Sequence, residues 1–91
     1  MKPKSANANM IPALLYFVHN RDTGWVEVAE MAKITGIKIR TAHTYIRQMV
    51  EGGILEVLET YPANIYRLSS GAKDTSMYRQ LMAVAEARGE A

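Results

Sequence analysis

Few residues in this chain are of a type and spacing that could make or break a covalent bond. The two histidines, His19 and His43, lie far apart, no cysteine is present, and no His-Glu-x-x-His spacing occurs. Neither a zinc site nor a thiolate nucleophile can be assembled from such a set. Glu56 and Glu59 stand three residues apart in a segment that reads as a strand, which turns them to opposite faces. Ser69, Ser70 and Ser76 have no activating base near them in sequence. These patterns predict a protein that is not an enzyme and carries no metal or cofactor.

What the sequence does supply is positive charge gathered on one stretch. From Met31 to Val50 there is no Asp or Glu, while Lys33, Lys38, Arg40 and Arg47 all fall there. The next ten residues, Glu51 to Thr60, hold three glutamates and no Lys or Arg. The net charge of +2 decides little, but a basic segment confined to one element is the footprint that an anionic partner requires. On a helical wheel from Ile39 to Glu51, the residues Ile39, Ala42, Ile46, Met49 and Val50 gather on one arc. Arg40, Thr41, Thr44, Arg47 and Gln48 gather on the other, with His43 and Tyr45 at the borders. Arg can fork onto guanine, Gln onto adenine, and Thr reaches a phosphate or a thymine methyl. A solvated helix face normally mixes signs, with Glu placed before Lys or Arg; this one does not. The expected partner is double-stranded DNA, met by Lys38, Arg40, Thr41, His43, Thr44, Arg47 and Gln48.

The flanking elements must hold that helix in place. Residues 1–9 are small and polar and read as a flexible arm carrying Lys2 and Lys4. A first helix is expected from Asn9 as cap, with Ile11, Leu14, Leu15 and Val18 in one stripe, ending at Asn20-Arg21-Asp22-Thr23-Gly24. Trp25-Val26 reads as a short extended segment, with Trp25 as a core or edge anchor. A second helix covers Glu27 to Ile34 with Val28, Met31 and Ala32 inward, and Gly36 suits a left-handed cap. The third helix starts at Lys38 or Ile39 and stops at Gly52-Gly53. Strands follow at Ile54–Thr60 and Ile65–Leu68 around a Tyr61-Pro62-Ala63-Asn64 turn. A last helix spans Asp74 to Arg88 with Met77, Leu81 and Val84 on one side. The order is α-β-α-α-β-β-α, mostly α with a small β-wing: residues 10–70 form the domain and residues 71–91 a C-terminal helix.

The run Val28-Ala29-Glu30-Met31-Ala32, then Thr35-Gly36-Ile37, then Arg40-Thr41-Ala42, resembles the winged helix-turn-helix pattern of bacterial and archaeal transcription regulators. Met49-Val50-Glu51-Gly52-Gly53-Ile54-Leu55 is similar to the ending that leads into the wing of such proteins, and Tyr66-Arg67-Leu68-Ser69 to their closing strand. The resemblance covers about residues 10–70. It implies a DNA-binding regulator whose recognition helix is the third. Many such proteins carry Lys or Arg at the wing tip, whereas here Glu59 precedes an uncharged tip. The helix is therefore expected to carry more of the contact than the wing.

At 91 residues only one core fits, and the stability margin is thin. The apolar stretch from Met10 to Val18 is too short to span a bilayer and no signal-peptide cleavage pattern follows it, so a cytoplasmic location is expected. Two-fold DNA sites favour a two-fold protein, and the apolar C-terminal helix is the expected homodimer contact. Two other readings share these features: a DNA-binding segregation or replication adaptor of a mobile element, and a winged helix used only for protein contact. No small-molecule ligand is evident in the sequence.

Overall fold

The computed structural model describes residues 7–90. Helices dominate: α1 (Ile11–His19), α2 (Val28–Thr35), α3 (Ile39–Glu51) and α4 (Ser76–Ala87), with strands β1 (Val26–Glu27), β2 (Leu55–Leu58) and β3 (Ile65–Leu68). The element order is the one expected, with a 3-10 turn added before α1 (Ala8–Met10) and another before α4 (Ala72–Asp74).

The start of the chain differs from expectation. Asn7 rather than Asn9 is the capping residue: its side-chain oxygen accepts the Asn9 N–H at 2.9 Å and opens the 3-10 turn. Met10 on that turn is fully buried, which holds the entry to α1 against the core. Residues 7–9 of the expected arm belong to this turn, and residues 1–6, including Lys2 and Lys4, lie outside the described residues.

In α1 the deep positions are Ile11, Ala13, Leu14 and Phe17, while Leu15 and Val18 of the expected stripe are only half-buried. The reason is the helix's central place. It touches α2, α3, α4 and β3, so several of its sides are covered at once, and a helix surrounded in that way is apolar nearly all round rather than along one stripe. Tyr16 on its rim donates a hydrogen bond to the Glu30 carboxylate of α2 at 3.2 Å. Burial, and then the nearby Glu30 charge and that hydrogen bond, push the Tyr16 phenol above its ordinary value.

The three strands form an antiparallel sheet in the order β1-β3-β2. Pairing of Leu55 with Leu68, and of Val57 and Val26 with Tyr66, turns these residues to the helical side. Glu56 and Arg67, also paired, stand on the outer side and form an ion pair. The Arg67 guanidinium lies 4.4 Å over the Trp25 ring, so Trp25 is an edge anchor of the outer face rather than a core residue.

α4 returns to the same core. Thr75 caps it, accepting the Tyr78 N–H at 3.2 Å, and Leu81, Ala85 and the preceding Ala72 are buried. Met77, Tyr78 and Met82 are half-buried, and of the expected Met77–Leu81–Val84 side only Leu81 is deeply buried, with Val84 at its edge at 37% exposure. Among the described residues no helix is long and apolar enough to cross a membrane.

Candidate nucleic-acid interface

Two glycines set the position of α3. Gly36 adopts φ 79° after α2, a left-handed turn that costs a residue with a Cβ about 1 kcal/mol or more. Its N–H donates to the Ala32 carbonyl at 2.9 Å, and the Thr35 hydroxyl donates to the Met31 carbonyl at 2.7 Å, closing the end of α2. At the far end Gly53 adopts φ 82°, and the N–H groups of Gly53 and Ile54 donate back to Val50 and Met49 at 3.1 and 2.9 Å. The chain thereby leaves α3 straight into the sheet, and Ile54 drops into the core.

Between these turns Ala42, Ile46 and Met49 bury one side of α3. The seven residues expected to meet DNA all lie elsewhere on the helix or at its cap. Lys38, Arg40, His43 and Arg47 are exposed, and Thr41, Thr44 and Gln48 are half-buried. Lys38, Arg40 and Arg47 form no ion pair among the described residues, so their charges are available to an outside anion. The Thr44 hydroxyl donates to the Arg40 carbonyl at 3.3 Å, one turn back, leaving its methyl and oxygen lone pairs outward. Lys38 stands at the α3 cap in extended conformation with no side-chain cap bond. The first-turn N–H groups of α3 are thus open to an anionic oxygen.

One residue of the expected inner arc behaves differently. Ile39 is 49% exposed at the first position of the helix and faces the hairpin tip. It helps line a hollow of about 550 Å³ between the start of α3 and the hairpin, with Glu27, Val28 and Ala29 on one side and Pro62, Ala63 and Asn64 on the other. A second hollow of about 310 Å³ adjoins it further along α3, lined by Arg47, Val50, Val57 and Glu59. His43, Asn64 and Tyr66 belong to both, so the two form one trough beside the cationic face. Sequence reasoning did not place Asn64, Tyr66 or Glu59 in such a trough. The period of two in β2 and β3, which aligns Val57 with Tyr66, was the available signal. Tyr61, at the hairpin tip, is 95% exposed.

No protein-family model matches the chain, and no curated protein sequence does. Among solved structures, it is similar to the homodimeric winged helix-turn-helix DNA-binding domain of a possible ArsR-family transcriptional regulator from Mycobacterium bovis. The TM-score is 0.63 at 22% sequence identity, over 93% of this chain and 71% of that one. At that identity the likeness speaks to architecture, and it agrees with the α2–turn–α3 pair and the β2–β3 hairpin. The chain has the winged helix-turn-helix fold.

Proposed function

We propose that this protein binds double-stranded DNA sequence-specifically and acts as a transcriptional regulator, reading the major groove with α3. The observation that carries the proposal is the outer face of α3: three exposed cations, no carboxylate from Met31 to Val50, and no protein partner among the described residues. An α-helix fits the major groove in width, and Arg40, Thr41, Thr44, Arg47 and Gln48 carry the hydrogen-bond groups that base edges distinguish. Lys38, His43 and the open first turn of α3 are placed for phosphate. The similar Mycobacterium bovis domain, named as DNA-binding and homodimeric, supports the same reading.

The proposal includes a homodimer formed through α4. Val84 is exposed and Met77, Tyr78 and Met82 are only half-covered, Met77 and Val84 on one border of the buried Leu81–Ala85 stripe and Tyr78 and Met82 on the other, which leaves apolar flanks for a second copy to cover. A two-fold dimer would present two copies of α3 to half-sites about one helical turn apart. Selection of bound duplexes from a random pool tests this directly. The expected result is an enriched sequence with two-fold symmetry and half-sites about 10 bp apart. A pool that emerges unenriched would refute sequence-specific binding.

A further inference from the structure

Glu59 stands beside the cationic face of α3. It lies just beyond the end of β2, is exposed, and lines the hollow that also holds His43 and Arg47. Its neighbour on the strand, Glu56, is paired with Arg67 on the outer face of the sheet, whereas Glu59 forms no ion pair among the described residues. An unpaired carboxylate beside the cationic face does not help a helix hold an anionic partner. Its like charge raises the free energy of every phosphate brought near the hairpin.

We propose that Glu59 is a specificity-determining residue that repels the phosphodiester backbone from the α3–hairpin trough and so weakens sequence-independent capture of DNA. The inference rests on the proposal that α3 binds duplex DNA. Sequence-independent binding is almost wholly electrostatic, whereas a cognate complex adds base contacts. Such a repulsion favours the true site only because base contacts fix the cognate backbone along the face of α3, whereas loosely held random DNA can settle against the hairpin and meet the Glu59 charge more closely. With Glu59 in place, productive binding depends on what Arg40, Thr41, Thr44, Arg47 and Gln48 find in the groove.

The test compares the unaltered protein with Glu59→Gln and Glu59→Lys on a duplex carrying the selected site and on a mixed-sequence duplex, between 50 and 200 mM salt, ranges over which phosphate contacts weaken steeply. Glu59→Gln is expected to tighten binding to the mixed-sequence duplex about threefold, the effect of unit charges about 7 Å apart in water. Its gain on the selected site should be smaller, and an equal gain on both duplexes would overturn the specificity role. Glu59→Lys should tighten mixed-sequence binding further and steepen the salt slope by about 0.9, one added phosphate contact. Because the side chain is exposed and unpaired, both variants should melt with the unaltered protein. Unchanged mixed-sequence affinity in both variants would overturn the proposal. So would a loss confined to the selected site, which would mark Glu59 as an acceptor for a cytosine amino group. If the unaltered protein and Glu59→Lys both fail to bind any duplex, the DNA reading itself falls, a result distinct from binding that ignores residue 59.

Discussion

Ionic strength is the perturbation that bears most sharply on a face defined by charge. Three exposed cations, Lys38, Arg40 and Arg47, stand on or at the cap of α3 without protein partners among the described residues. With each cation, at a base edge in the groove or at a phosphate, replacing one condensed counterion, one subunit displaces about three, giving a slope of log K against log salt near −2.7. Raising salt from about 50 to 200 mM then weakens binding about 40-fold. A two-fold dimer doubles the slope to about −5.4, and the same change in salt costs on the order of a thousandfold. Fluorescence anisotropy with a labelled duplex, titrated at several salt concentrations, separates these cases in one experiment. The slope thus reports both the contact face and how many copies of it are engaged. A slope near zero would refute the reasoning, because a protein–DNA contact without counterion release cannot use this face.

Other consequences follow from packing. Ile46→Ala empties a fully enclosed site on the inner side of α3, where the side chain is 2% exposed. It should cost about 2–5 kcal/mol and lower Tm by at least about 8 °C in a thermal melt; an unchanged Tm would mean that α3 is not anchored there. Thr75→Ala removes the cap of α4 and its bond to the Tyr78 N–H, a loss of about 1 kcal/mol that denaturant titration would detect as a lower midpoint. Val84→Glu puts a charge on the outward side of α4 and should yield a folded monomer in sedimentation analysis. If Val84→Glu sediments as the unaltered protein does, α4 is not the dimer contact.

Helix α3 and the turn before it were legible in the sequence because each rests on local signals that act alone. The apolar positions Ala42, Ile46 and Met49 keep a helical period, and Gly36 is needed where φ is positive. The β2–β3 hairpin was likewise visible, though shorter than the Ile54–Thr60 run suggested, since the pairing ends at Leu58 opposite Ile65. What escaped depends on neighbours distant in sequence. Leu15 and Val18 differ from Phe17 in burial only through the elements packed around α1. Ile39 falls on the apolar arc of the wheel yet is 49% exposed, because a wheel does not contain what the rest of the chain packs against the start of α3. Asn9 suits a cap by residue type, but a 3-10 turn capped by Asn7 and ending in the fully buried Met10 stands ahead of α1, and the depth of Met10 depends on the core around it. The trough between α3 and the hairpin arises from the angle between two elements, so Glu59, Asn64 and Tyr66 came together only in three dimensions.

Arg40 and Arg47 are both exposed, and neither forms an ion pair among the described residues, so replacing both with Ala should leave the melting curve in place. The decisive measurement is the affinity of that double variant for the selected duplex beside the unaltered protein, in the same buffer. Two such contacts together are worth roughly 30-fold or more, and binding should fall by at least that factor while the fold persists. A double variant that binds as tightly as the parent would contradict the assignment of the outer face of α3 to DNA.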